Sequence, residues 1–294
     1  MKALGLDVGG TRIKSYLVDV EDIKDTSKYR ILSSKIFKTY AYKGRDEILK
    51  NIVKAITYYN NYKTFAYIGV ASAGTIDFST GSVIFATDNL PNFTGLELGK
   101  TITKAIDKRV VVINDAQAAA LGECNYGNSF DEYKNVLFVT LGTGLGSSII
   151  TNKTHLKDIH LGHITLHENG RECTCHKIGC AECYVSAQAL RKNANIPDLE
   201  IIFNSQEENC IKARSDFYID FTDTLEYAVN NHTIDCIVVG GGVIEMANYW
   251  WDDFMSYYSK KLSTPIFKAQ LANVAGSIGA SFAAINKKII TSEV

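Results

Sequence analysis

Two glycine turns constrain this chain most: Leu6-Asp7-Val8-Gly9-Gly10-Thr11 near its start and Leu141-Gly142-Thr143-Gly144-Leu145-Gly146 near its middle. Each lies between strand-like segments. Ala3–Val8 and Ile13–Asp19 flank the first turn, and Asn135–Leu141 and Ser147–Thr151 flank the second. The repeated strand, turn and strand form a weak internal duplication, which predicts two related α/β lobes with a cleft between them. No Pro- or Ser-rich linker separates the halves, so a tight junction is expected.

The segments between the turns fill in this pattern. A third strand is predicted near Arg30–Phe37, and Ile48, Ile52, Ala55, Ile56 and Tyr59 have helical spacing. Phe65–Ala71 reads as a buried strand and Leu98–Ile106 as a helix. Val110–Ile113 is short and wholly apolar, as in a strand covered on both faces. A helix is predicted over Ala116–Glu123. In the second half come a polar, cysteine-rich insertion over 158–183, a strand at Cys236–Val239, a helix from Val243 to Tyr258 and a last helix near Ala275–Asn286.

Composition excludes some functions. A chain of 294 residues with a formal charge of −1 presents no field to attract nucleic acid or an anionic membrane. No apolar run approaches the roughly 20 residues of a membrane helix, and Asp7 interrupts the first apolar stretch too early for a signal peptide. A cytoplasmic protein is therefore expected. There, seven cysteines point to metal rather than to disulfides.

The glycine turns carry chemistry as well as fold. Backbone amides at Gly9 and Gly10 can curl around anionic oxygens. Asp7, just ahead of them, is placed to hold Mg²⁺ directly or through water. Thr11 adds a hydroxyl, and Arg12 or Lys14 adds positive charge. The second turn offers Thr140, Gly142, Thr143, Gly144 and Gly146 in the same way. Neither turn has the Gly-Lys-Ser/Thr of a P-loop, and glycine pairs between strands are often plain hairpins. A third cluster, Gly240-Gly241-Gly242 after Val238-Val239, can let an adenine ring lie on backbone. Asp115 follows Asn114 at the end of the buried strand Val110–Ile113. It can cap the following helix, and it can also take a proton from an acceptor hydroxyl. Two phosphate turns and one carboxylate point to phosphoryl transfer.

His163, Cys173, Cys175 and Cys180 form a Cys₃His set suited to tetrahedral Zn²⁺ with no open position, hence a structural site. His176 and Cys183 are rival ligands. Cys124, Cys210 and Cys236 sit in or beside apolar stretches and are expected in the core.

Assembled, these motifs resemble the ROK family of sugar kinases and sugar-responsive repressors over nearly the whole chain, from Leu6 to about Gly279. The resemblance rests on Asp7-Val8-Gly9-Gly10-Thr11, Asn89-Leu90-Pro91-Asn92-Phe93 with Ala73-Gly74, Asn114-Asp115, Gly142–Gly146, and Gly162-His163 with Cys173 through Glu182. It implies a two-lobed, actin-like ATPase (ribonuclease H-like) fold. A small lobe would cover 1–113, with a C-terminal helix at about 280–294 packing back on it, and a large lobe 114–279 would carry the zinc loop. It further implies a homodimer that moves the γ-phosphate of ATP, with Mg²⁺, to a sugar hydroxyl, commonly the 6-hydroxyl. The acceptor would be a hexose, an N-acetylhexosamine or a β-glucoside. Asp115 would be the base. Gly74, Asn89, Asn114, His160, His163 and Glu182 would surround the sugar, and Asp7, Gly9, Gly10, Thr11, Lys14, Thr140, Gly142, Thr143, Gly144, Gly241 and Gly242 the nucleotide.

Two departures from the family pattern stand out. His160 occupies the position of a family Glu that binds sugar hydroxyls, and His176 replaces a Gly after Cys-x-Cys. At that second position a positive φ would strain the knuckle, or the imidazole would join the metal. The first departure motivates an alternative, a sugar-binding sensor that has lost catalysis. A repressor is not expected, because family repressors carry a DNA-binding helix-turn-helix ahead of the first phosphate motif, and here that motif begins at residue 6.

Overall fold

The computed structural model describes residues 1–21, 29–59, 65–86, 89–127, 130, 132–286 and 290–292. The chain divides into two compact units, one of Met1–Ser129, Asn152–Leu156 and Asn273–Ser292, the other of Phe130–Thr151 and Lys157–Ala272.

The first unit begins with β1 (Lys2–Val8), β2 (Arg12–Val20) and β3 (Tyr29–Lys38), followed by α1 (Arg45–Thr57) and β4 (Tyr67–Ser72). A small hairpin of β5 (Thr75–Asp77) and β6 (Ser82–Phe85) leads to α2 (Leu98–Ile106), β7 (Val111–Asn114) and α3 (Asp115–Tyr126). The sheet order is β3-β2-β1-β4-β7. β1 runs antiparallel to β2, with Leu6 opposite Ser15, and parallel to β4, with Leu4 opposite Ile68. Val112 and Ile113 of β7 are fully buried, as its unbroken apolar sequence requires. Leu98, Ile102 and Ile106 form the buried stripe of α2.

The chain continues with β8 (Asn135–Leu141), β9 (Leu145–Thr151) and β10 (His155–Asp158), then α4 (Ala187–Ala194), α5 (Leu199–Asn204) and α6 (Glu208–Asn231). β11 (Cys236–Gly240), α7 (Trp251–Tyr258) and β12 (Ile266–Lys268) follow. The second sheet runs β13-β10-β9-β8-β11-β12, β13 being the short strand Ile290–Ser292. With β13 set aside, each sheet places its strands third, second, first, fourth and fifth, read from its antiparallel side. The internal duplication is therefore a repeat of topology. Around the second sheet, Phe217, Phe221, Trp250 and Phe254 fill an aromatic core.

The last helix, α8 (Ala275–Ile285), belongs to the first unit and is buried along almost its whole length. Its small residues allow backbone-to-backbone packing. A side chain at Gly5 of β1 would meet the Ser277 carbonyl, and one at Gly69 of β4 would meet that of Ala280. On its other side α8 packs on α3, where Gly279 lies against the Ala118 carbonyl. α3 and α8 both fall in the first unit.

Two helices differ from expectation. The predicted C-terminal helix at about 280–294 ends at Ile285, and Ile290–Ser292 is a strand. Residues 287–289 and 293–294 lie outside the described residues. The predicted helix Val243–Tyr258 breaks at Trp250, with a 3₁₀ stretch, Ile244–Tyr249, before α7. The Trp250 ring is 1% exposed, and its Nε1–H donates to the Val243 carbonyl at 3.1 Å. Seating that ring costs helical continuity.

Candidate functional site

In the first unit the β1–β2 turn is a tight hairpin. Its Gly9 amide donates to the Arg12 carbonyl at 3.0 Å, and the Thr39 hydroxyl donates to the Gly9 carbonyl at 2.6 Å. The Gly9 N–H is thus spent inside the turn. Gly10 has no room for a side chain, because a Cβ would lie 2.7 Å from the Asn89 carbonyl oxygen. The exposed Asn89 is held against the turn in this way.

Asp7 lies near the end of β1 beside Lys14, whose Nζ lies 3.5 Å from Asp7 Oδ2 and donates to Asn273 Oδ1 at 3.1 Å. Burial pushes the Asp7 carboxyl above the usual carboxylate range, and the Lys14 ammonium opposes that shift only in part. Asn273, which steadies Lys14, was not anticipated from sequence. It lies 259 residues away in no recognisable motif.

At the β7–α3 junction, Asn114 rather than Asp115 is the N-cap, its Oδ1 accepting from the Gln117 amide at 3.0 Å. The Asn114 amide nitrogen donates to the Gly74 carbonyl at 2.8 Å and to Asp115 Oδ1 at 3.1 Å. Asp115 Oδ1 also accepts from the Ala116 amide at 2.9 Å. Gly74 adopts φ +102°, and a side chain there would meet the Phe85 carbonyl. The unit therefore brings Gly74, Asn114 and Asp115 together, with the carboxylate in the first turn of α3.

In the second unit the β8–β9 turn repeats the first, with the Gly142 amide donating to the Gly144 carbonyl at 3.0 Å. β11 pairs with β8 so that Gly240 lies opposite Thr140. Gly241, at φ +88°, packs on the Leu141 backbone. The Gly240–Gly242 cluster and the second turn are thus neighbours.

The metal loop fits a tetrahedral ion. The donor atoms of His163, Cys173, Cys175 and Cys180 all lie within 4.8 Å of one another. Cys175 and Cys180 are 3.6 Å apart, and Cys173 Sγ is 3.7 Å from His163 Nδ1. A zinc–sulfur bond of 2.3 Å in tetrahedral geometry sets sulfurs about 3.8 Å apart. Burial pushes the Cys173 thiol up, and that of Cys180 to about 11; a cation would reverse both. His176 is outside the set and adopts φ 66°, so strain is the outcome at that position. Cys183 is also outside it, its thiol donating to the Glu172 carbonyl at 3.6 Å. As expected, Cys124, Cys210 and Cys236 are buried.

Residues that sequence reading passed over brace the loop. His167 Nε2 lies 2.9 Å from Asp220 Oδ1 of α6. The Arg171 guanidinium sits 4.8 Å over the Tyr184 ring and donates to Asn193 of α4 at 2.7 Å. Glu182 Oε1 accepts from Cys173 Sγ at 3.1 Å and lies 3.7 Å from His163 Nδ1. His160 adopts the left-handed region at φ 45°, with its ring Nδ1 3.2 Å from Asp158 Oδ1. No helix among the described residues is long and apolar enough to cross a membrane.

The duplicated strand order and paired glycine hairpins define an α/β protein of the actin-like ATPase fold class. Comparison with known proteins narrows that class. The ROK family model matches residues 3–287, and the chain belongs to that family. It is 26% identical over 306 residues to the N-acetylmannosamine kinase of Haemophilus influenzae, covering 96% of this chain and 95% of that one. It is 32% identical to the glucokinase of Thermotoga maritima over 197 residues, 65% of this chain and 59% of that protein's length. The crystal structure of the ROK hexokinase from Thermus thermophilus superposes with a TM-score of 0.78 at 25% identity, covering 97% and 98% of the two chains.

Proposed function

We propose that this protein is an ATP-dependent sugar kinase that transfers the γ-phosphate to a hydroxyl, the 6-hydroxyl in our reading, of a hexose, an N-acetylhexosamine or a β-glucoside. The observation that carries the reading is the Asn114–Asp115 pair. A carboxylate held by a backbone amide and a neighbouring side-chain amide suits a group that orients an acceptor hydroxyl and receives its proton. The hydroxyl oxygen attacks phosphorus, the bond from γ-phosphorus to the bridging oxygen breaks, ADP leaves, and the proton passes to Asp115.

The other residues take supporting roles. Gly10, Thr11 and Lys14 of the first turn, with Thr140, Gly142, Thr143 and Gly144 of the second, bind phosphate oxygens. Gly241 and Gly242 receive the base. Asp7 serves Mg²⁺, which when bound neutralises charge on the phosphates. Gly74, Asn89, Asn114, His163 and Glu182 bind the sugar, and His160 tunes which sugar fits. His163, Cys173, Cys175 and Cys180 hold structural Zn²⁺, which when bound fixes the loop carrying His163 and Glu182. The protein acts in the cytoplasm as a homodimer.

Coupled ADP release with Mg-ATP over glucose, mannose, fructose, N-acetylmannosamine, N-acetylglucosamine and cellobiose tests the reading. One sugar well above the rest supports it. Sugar binding by calorimetry without ADP release replaces it with the sensor, the alternative that His160 motivates.

A further inference from the structure

Glu182 faces two sites with its two carboxylate oxygens. Oε1 points into the metal loop, accepting from the Thr174 hydroxyl at 3.3 Å and lying 3.1 Å from Cys173 Sγ, whose proton is lost when the thiolate binds metal. Oε2 lies 2.7 Å from where a side-chain Cβ at Gly144 of the second glycine turn would stand. The backbone after Glu182 grips the same turn. The Glu182 carbonyl accepts from the Ser186 hydroxyl at 2.8 Å, Ser186 caps α4, and the next amide, of Ala187, donates to the Gly142 carbonyl at 2.9 Å. A third tie joins the far side: the Leu161 amide donates to the buried Ser147 hydroxyl at 3.0 Å, and Gly162 packs on the Leu145 carbonyl. Both ends of the β8–β9 turn thus rest on the segments that bracket the metal cluster.

We infer that Glu182 is a positioning residue for the second glycine turn, so that occupancy of the metal loop sets the affinity of that turn for nucleotide phosphates. This rests on the kinase reading and adds a regulation of the same site. One side of the turn also rests on the segment just after β11, with the Val243 amide donating to the Leu141 carbonyl at 3.0 Å, but its tip is open. Thr143 at its tip is exposed, and a side chain at Gly142 would meet nothing within 4 Å. A loop held by metal fixes the Glu182 carboxylate against Gly144, and the turn keeps the shape its amides need. A loop without metal lets that carboxylate and the start of α4 drift, and the turn drifts with them. Reciprocity follows from linkage: a metal that tightens nucleotide by some factor is itself tightened by nucleotide by the same factor.

The experiment uses the full chain, zinc-loaded and chelator-stripped, with folding of each form checked by circular dichroism. Calorimetry measures the Kd of a non-hydrolysable ATP analogue with Mg²⁺ for each form. A competing chelator measures zinc affinity with and without the analogue. Stripping zinc is expected to weaken the analogue about 10-fold, and the analogue to tighten zinc by the same factor. Zinc-loaded Glu182→Ala should show the same loss of nucleotide affinity, while Glu182→Gln, which keeps the contact with Gly144, should retain most of it. If stripping unfolds the chain, this pair of zinc-loaded variants carries the test. Kd values within twofold across the folded forms and variants overturn the coupling and leave the kinase reading standing. No binding of the analogue to the zinc-loaded protein overturns both.

Discussion

The side-chain amide of Asn114 donates at once to the Gly74 carbonyl, at 2.8 Å, and to Asp115 Oδ1, at 3.1 Å. One residue thereby ties the end of β7 to the loop after β4 and aims the neighbouring carboxylate. Asp115→Asn keeps the shape of that arrangement and removes the proton acceptor. Turnover is expected to fall about 10²-fold or more, with sugar affinity by calorimetry little changed. Near-normal ADP release would remove Asp115 from the mechanism.

Asn114→Ala tests the other half of the pair. It deletes the N-cap of α3, a loss of about 1 kcal/mol in stability, and it also frees the Asp115 carboxylate to turn. Thermal unfolding should show the first effect and kcat the second. A variant that unfolds earlier but turns over normally would make Asn114 a cap and nothing more.

Asp7→Asn separates function from stability. Burial holds the Asp7 carboxyl above its ordinary range against the pull of Lys14. An acid whose folded pKa lies above its unfolded value costs stability when ionised. That cost is absent below the unfolded pKa, about 3.9, and grows as pH rises through the raised folded value. The Asn variant should therefore melt higher at neutral pH, with the gain shrinking towards pH 4, while losing Mg-ATP affinity. A lower Tm at pH 7 would mean that the pair with Lys14 outweighs burial.

Much of this site was legible because its chemistry is local. The glycine turns, the Asn114-Asp115 pair and the spacing His163-x₉-Cys173-x-Cys175-x₄-Cys180 each compress a functional unit into one short segment. The buried stripe Leu98, Ile102 and Ile106 and the apolar β7 are equally local, set by helical period and unbroken hydrophobicity. What escaped is long-range or too short for periodicity. The Lys14–Asn273 bond joins opposite ends of the chain. The β5–β6 hairpin has strands of three and four residues, too few to show alternation. The packing of α8 on α3 through small residues is likewise a contact that no single segment announces. The pairing of His160 with Asp158 escaped because it depends on a left-handed backbone at His160 itself.

Cys175→Ser tests the metal set. It removes one of four ligands, and the protein should release zinc, measured as metal content after dialysis. Sugar KM should rise as His163 and Glu182 lose their support, with a larger effect on KM than on the unfolding temperature of the aromatic core. Unchanged metal content and unchanged KM together would refute the Cys₃His assignment.

His176→Gly should improve the same loop. His176 is exposed and sits at φ 66°, its amide donating to the Cys173 carbonyl at 2.9 Å to close the knuckle. A non-glycine residue held there costs about 1 kcal/mol or somewhat more. The imidazole is outside the ligand set, so its removal takes no donor from the metal. Glycine relieves the crowding between Cβ and backbone and loses part of that gain to the greater freedom of the unfolded chain. The net expectation is slower loss of zinc to a chelator and a Tm unchanged or raised by about 2–4 °C. Faster zinc loss in the glycine variant would show that His176 contributes to metal binding after all, by a rearrangement of the knuckle when the ion is present.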